Sequence, residues 1–152
     1  MAMNFRAPVS RWRTAGVYML LMAGFNTVWE IAQFPLYQIW LEGTFRAQTY
    51  AIIHCTIGDI MIAAASLALV YALVGRGEWP HRRFWATALA TTAFGVAYTV
   101  FSEWQNVSVR GSWAYRDIMP LVPPFGTGLA PLLQWTILPL AAFVLTRRVS
   151  RA

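Results

Sequence analysis

Hydrophobic positions fall into four long blocks along this chain, each interrupted by only a few polar residues. A helix that crosses the hydrocarbon core of a bilayer needs about 20 mostly apolar residues. Four stretches meet that length: 14–37, 50–74, 84–104 and 128–146. They predict an all-α, integral-membrane four-helix bundle, with residues 1–152 forming one transmembrane domain. The first stretch follows Arg6, Arg11 and Arg13, as a signal peptide would. It is too long, lacks a small-residue cleavage site and continues into Glu30 and Gln33, so it reads as a retained span. The connection between the third and fourth stretches, Gln105 to Thr127, is long for a bundle, where links usually run about 2–8 residues. Trp113, Tyr115, Met119 and Phe125 make it too apolar for a solvated loop, and Pro120, Pro123 and Pro124 make it too proline-rich for a helix. It is expected to lie on the outer membrane surface as an anchor or to fold down as a lid. The sequon Asn106-Val107-Ser108 is read as a chance match.

Composition strengthens the membrane reading. The chain is 58% hydrophobic and 12% charged, where soluble domains carry about 25% charged residues. All 12 basic residues are arginine. Nine flank the same side of the spans: Arg6, Arg11, Arg13, Arg76, Arg82, Arg83, Arg147, Arg148 and Arg151. The other side holds only Arg46, Arg110 and Arg116. By the positive-inside rule both termini are cytoplasmic, and the expected location is a bacterial inner membrane. The net charge of +6 belongs to helix ends, so nucleic acid is excluded as a partner. Trp12, Trp40, Trp79, Trp85, Trp104 and Trp113 fall near the expected interfaces, as an aromatic belt would. The single cysteine, Cys55, excludes an internal disulfide and a CxxC redox pair, and thiol–disulfide oxidoreductases with them.

The polar residues inside the spans share one depth. Asn26, Glu30, Gln33 and Tyr37 lie on one face of the first helix, with Pro35 among them freeing the carbonyl of Ile31. The second helix carries His54, Cys55, Gly58 and Asp59 in its outer half. His54 and Asp59 are five residues apart and diverge by roughly 140°, so they border a cavity rather than chelate one ion. Gly58 leaves space beside Asp59. The inner half of this helix, 60–74, is apolar and Ala-rich and reads as plain packing. Thr92, Thr99, Glu103 and Asn106 recur on one face of the third helix. Gln134 adjoins Trp135 on the fourth. Counted from the outer ends, Glu30, Gln33, His54 and Gln134 lie roughly 5–10 Å deep, Asp59 deeper and Glu103 shallower. The inner halves hold nothing comparable. Ionisable residues within spans are costly and usually face a bundle interior or a wet cavity.

Three acids and one histidine cannot all be ionised in a low-dielectric pocket. The expected outcome is a mixed set of neutral and charged groups, which general acid–base catalysis requires. Glu30 is the expected principal acid, Asp59 and His54 the base or charge partner, and Glu103 the fourth catalytic candidate. Asn26, Trp29, Gln33, Tyr37, Trp104, Asn106 and Gln134 are expected to contact substrate, with Trp29 and Trp104 offering π faces to a developing carbocation. The expected substrate is a membrane lipid or small hydrophobic, isoprenoid-like molecule undergoing isomerisation, cyclisation or hydrolysis. No cofactor is expected. A divalent metal on His54, Glu30, Asp59 and Glu103 is the alternative, set against the lack of an ExxH or HxxxH pair and the position of His81 on the opposite side. The residues also admit a small transporter or proton-conducting protein, and a non-catalytic subunit of a homo-oligomer or membrane complex. Signal peptidase II shares the size and topology, but its Asn-flanked aspartates are missing.

The blocks Asn26-Thr27-Val28-Trp29-Glu30, His54-Cys55-Thr56-Ile57-Gly58-Asp59, Ser102-Glu103-Trp104-Gln105-Asn106 and Pro131-Leu132-Leu133-Gln134-Trp135 look like signatures of a bacterial four-span membrane family. The Trp29-Glu30 pair is similar to the Trp-Glu step of integral-membrane meroterpenoid cyclases. The scattered His and acids resemble the plan of emopamil-binding-type sterol isomerases. These resemblances imply acid–base chemistry on an isoprenoid or sterol-like lipid.

Overall fold

The computed structural model describes residues 11–73 and 83–150. Arg6, Arg76, Trp79, His81, Arg82 and Arg151, which entered the orientation and metal arguments, lie outside the described residues. Four helices are long and apolar enough to cross a membrane. Helix α1 spans Arg11–Gln33 and runs into a 3-10 turn, Phe34–Leu36. A short α2, Ile39–Glu42, leads to α3, Phe45–Leu73. Helix α4, Phe84–Glu103, continues as a π-helical stretch, Trp104–Val109. Strands β1, Leu121–Val122, and β2, Thr127–Gly128, pair antiparallel before α5, Leu129–Val149.

The boundaries differ from the hydropathy blocks for local reasons. α1 leaves the α conformation at Gln33 because the residue before a proline is disfavoured there, so Pro35 sits in the 3-10 turn rather than inside an α-helix. α3 starts five residues earlier than hydropathy indicates. Thr44 caps it, its hydroxyl accepting from the Ala47 amide at 3.3 Å, and Gln48 donates back to the Gly43, Ile39 and Trp40 carbonyls. This polar first turn is helical through capping, which an apolar window passes over. Pro139 lies inside α5. Without an amide it cannot bond the Trp135 carbonyl one turn back.

The four long helices form a ring in which α1 packs on α3 and α5, and α4 packs on α3 and α5. The surface is apolar: Leu20, Val28, Met61, Leu73 and Leu89 are all exposed, whereas Asn26, Glu30, Gln33, Asp59, Glu103 and Gln134 are buried. Water would reverse this arrangement, and a hydrocarbon solvent favours it. Tyr18, Met22, Ala88, Ala142 and Phe143 are fully buried and fill the half of the bundle nearer the chain termini. That half also buries Thr14, Thr87, Thr91 and Thr146, a hydroxyl set the sequence pattern did not separate from ordinary helix surface.

The 105–127 connection folds onto the opposite end of the bundle. Its first residues extend α4 rather than leaving the helix. The chain then runs antiparallel to the end of α1: the Gln38 amide donates to the Ala114 carbonyl at 2.9 Å and the Arg116 amide to the Leu36 carbonyl at 2.9 Å. The Arg116 guanidinium donates to the Pro35 carbonyl at 2.7 Å. Met119 is buried, and the Leu129 amide donates to the Pro120 carbonyl. Gly126, at φ +67°, turns the chain between β1 and β2 in a conformation costly for residues with a Cβ.

Candidate functional site

Gln134 organises the interior. α5 projects it across the bundle axis, where its amide nitrogen lies 2.8 Å from Asn26 Oδ1, 3.1 Å from Glu30 Oε1 and 2.9 Å from Asp59 Oδ2. One side chain thus ties α5 to α1 and α3. Gln33 Nε2 donates to Glu30 Oε1 at 2.8 Å and to Gln134 Oε1 at 3.1 Å. The Trp29 indole N–H donates to Gln33 Oε1 at 3.2 Å. Asn26 anchors its own amide on the Met22 carbonyl at 2.8 Å. From the far side, the Trp135 indole N–H donates to Asp59 Oδ1 at 3.3 Å. Trp135 reaches Asp59 because α4 has Gly95 opposite it: a Cβ there would collide with Cε3 of the indole and lie 2.7 Å from Cζ3.

Glu30 Oε1 and Asp59 Oδ2 converge on one nitrogen, Gln134 Nε2, at 3.1 and 2.9 Å. Two carboxyl groups drawn to one buried donor repel each other when both are ionised. One proton between them would make one group an acid and the other a base, the division that acid–base chemistry uses.

Glu103 forms a second centre nearer the covered end. Tyr115 OH donates to its Oε2, and the Trp113 indole N–H donates to the same oxygen at 3.3 Å. The Tyr115 hydroxyl in turn accepts from the Gly128 amide at 3.0 Å. Burial, and then the neighbouring Glu103 carboxylate, push the Tyr115 phenol above its ordinary range, which keeps it a donor. The Tyr37 ring lies 5.5 Å from that of Tyr115.

Both centres open on one cavity of about 890 Å³. α1 contributes Glu30 and Gln33; α3 contributes Tyr50, His54, Cys55, Gly58, Asp59, Met61, Ser66 and Leu69; α4 contributes Phe94, Tyr98, Thr99, Ser102 and Glu103. Tyr37 and Asn106 line it, Ser112 and Trp113 come from the covering segment, and Pro131, Gln134 and Trp135 come from α5. The acids, glutamines and Trp135 are buried at its back, whereas Tyr50, Met61, Leu69, Phe94 and Tyr98 are exposed along its rim. The mouth therefore runs along the α3–α4 seam, on the apolar outer surface. Tyr50 to Leu69 spans roughly 28 Å at the helical rise of 1.5 Å per residue. The part of α3 that reads as plain packing is in fact a wall of this slot, because Met61, Ala65, Ser66 and Leu69 face it.

The sequence candidates divide accordingly. Glu30, Gln33, Asp59 and Gln134 meet in one network, with Asn26 behind it and outside the cavity lining. Glu103, Tyr37 and Asn106 line the same cavity toward its covered end. His54 lines the rim, exposed, with its ring stacked on Tyr50 at 5.5 Å. Trp29 holds Gln33 but does not line the cavity, and Trp104 is 41% exposed with its ring 6.2 Å from that of Phe101. The tryptophans that line the cavity are instead Trp113 and Trp135. Neither stood out by helical phase: Trp113 belongs to the covering segment, and Trp135 depends on the gap at Gly95 of a different helix. Among the described residues no three His, Cys, Asp or Glu side chains gather to hold a metal ion, so His54, Glu30, Asp59 and Glu103 do not form one donor set. The chain matches no protein-family model, and no curated protein or solved structure is significantly similar to it.

Proposed function

We propose that this protein carries out acid–base chemistry on a lipid or isoprenoid-like substrate within a bacterial inner membrane, with both termini cytoplasmic and the 105–127 segment covering the site at the outer interface. The observation that carries the reading is one cavity with Glu30 and Asp59 converging on Gln134 at its back and an apolar mouth along the α3–α4 seam. A hydrophobic substrate can enter such a slot sideways from lipid, without crossing water. At about 890 Å³ the cavity sits near the upper end of the roughly 300–1,000 Å³ range of small-molecule sites.

The protonated member of the pair donates to an alkene carbon or strained ring oxygen, and its partner removes a proton elsewhere on the same substrate. The two transfers leave the pair with one proton, now on the partner, and its return across the pair restores the starting state. Gln33 and Gln134 fix Glu30 Oε1, and Trp135 fixes Asp59 Oδ1. Trp113 and Trp135 present π faces toward positive charge developing on the substrate. The packed layer around Tyr18, Met22 and Phe143 favours a closed pocket over a path across the membrane.

Purification from native membranes, followed by mass spectrometry of the retained lipid, names the substrate class. Glu30→Gln keeps the shape and removes the ionisable group. It is expected to retain the lipid and to lose turnover by about 100-fold or more, the usual scale for a general acid. Unchanged turnover in a stable Glu30→Gln protein refutes the acid role.

A further inference from the structure

The charges around the cavity restrict what its polar end can accept. Three carboxyl groups line it, Glu30, Asp59 and Glu103. Among the described residues no arginine does. Arg116, in the covering segment, is committed to the Pro35 carbonyl. The start of α5 offers no anion cradle either: the Gly128 amide is taken by the Tyr115 hydroxyl and the Leu129 amide by the Pro120 carbonyl. A phosphate, diphosphate or carboxylate head group would enter this space against like charge and without a cation to pair with. Burial without pairing is among the costliest states for a charged group.

One hydroxyl in the cavity lining is left without a partner. Thr99 lines the cavity at 5% exposure, and its hydroxyl has no hydrogen-bond partner among the described residues. It stands one turn before Glu103 on α4. Both donors to Glu103, Tyr115 and Trp113, converge on Oε2. Thr99 Oγ1 and Glu103 Oε1, on residues one turn apart that both line the cavity, thus have no donor among the described residues. Tyr37 and Trp113 supply aromatic faces beside it, of the kind that favour cations.

We propose that the cavity takes an amphiphile whose polar end is a protonated amine, held between Glu103 and Thr99, with its apolar body in the α3–α4 slot. This rests on the reading of the cavity as a lipid site and adds the charge of the head group. The ammonium supplies up to three N–H donors to acceptors that the fold leaves open. The apolar rim at Met61, Leu69 and Phe94 covers the chain.

The test uses the full-length protein in phosphatidylcholine nanodiscs at pH 7, with empty nanodiscs subtracted. Radiolabelled dodecylamine is bound and competed with dodecanol and with dodecyl phosphate. The amine is expected to bind at least about tenfold more tightly than the phosphate, a modest demand on one desolvated charge pair. Glu103→Gln should weaken the amine about tenfold and leave dodecanol within about twofold, which also reports that the variant is folded. Thr99→Val, which keeps the shape, should weaken the amine several-fold by removing one acceptor. Equal binding of amine and phosphate, or an amine preference unchanged in both variants, overturns the proposal. Tight dodecanol binding without amine preference overturns the head-group assignment and leaves the lipid cavity standing. No binding by any of the three probes overturns both. Amine binding with full turnover in Glu30→Gln supports the head-group assignment while removing the acid role of the pair.

Discussion

Replacing Gln134 by leucine tests whether the buried polar network is the structural keystone of the bundle. Its amide nitrogen is within hydrogen-bonding distance of three acceptors on two other helices. Their dependence on it is unequal. Glu30 Oε1 keeps Gln33, and Asp59 keeps Trp135. Asn26 Oδ1 is the acceptor for which Gln134 is the recorded donor, and Asn26 is fully buried. A buried acceptor left unpaired costs about 1–3 kcal/mol, and a lost bond to a charged group about 1.5–3 kcal/mol. Interhelical hydrogen bonds in membranes average only about 0.6 kcal/mol, because a loosened helix finds other partners there. That compensation is weaker for carboxyl groups, which have few alternatives away from water. The expected loss is therefore about 2–4 kcal/mol, read as a drop in Tm of about 2–4 °C per kcal/mol in a chain of this size. Scanning fluorimetry of the detergent-solubilised protein measures it. A cycle with Asn26→Ala should show coupling of about 1 kcal/mol, because the second change removes the orphan that the first creates. A Gln134→Leu protein whose Tm falls no further than that of Ile137→Ala, on the exposed face of the same helix, or an additive double variant, refutes the keystone role.

Other substitutions probe separate contacts. Gly95→Ala drives a Cβ into the Trp135 indole and should cost about 1–3 kcal/mol by overpacking, with a shift in tryptophan emission as the indole leaves Asp59. Gly58→Ala meets open space and should be neutral or stabilising by up to about 1 kcal/mol from helix propensity; destabilisation as large as that of Gly95→Ala would contradict the cavity beside Asp59. Arg116→Ala removes the donor to Pro35 and should speed amide exchange at Gln38 by about tenfold, the scale of one lost charge-assisted bond; unchanged exchange would show that the segment is held elsewhere. Tyr115→Phe deletes the donor to Glu103 and the acceptor for Gly128, and should lower stability by about 1–3 kcal/mol in thermal unfolding. A reporter enzyme inserted in the 38–49 loop should be active on the outer side of the membrane, and cytoplasmic activity would reverse the orientation.

Much of the architecture was legible because a bilayer fixes the length of its spans. The four apolar blocks in the sequence correspond to four long helices whose ends differ by only a few residues, and Pro35 and the Thr44 cap account for two of those differences. The buried polar set was legible for a related reason: few polar residues interrupt the blocks, so Glu30, Gln33, Asp59, Glu103 and Gln134 stand out singly. Helical phase placed Asn26, Glu30 and Gln33 on one face, and that face does meet Gln134 across the bundle. Other features depend on pairs far apart in the chain. Trp135 reaches Asp59 only because Gly95 is empty, and Glu103 gains Trp113 and Tyr115 only because the 105–127 segment folds back over the helix ends. The slot along α3 is lined by both α3 and α4, so the Ala-rich run after Asp59 is both packing surface and cavity wall. Hydrophobic pattern is a property of one helix at a time and therefore specified spans, phase and depth. The cavity is a property of the spaces between helices, and only tertiary packing decided where its mouth lies, which tryptophans face it and which oxygens of the buried acids remain open.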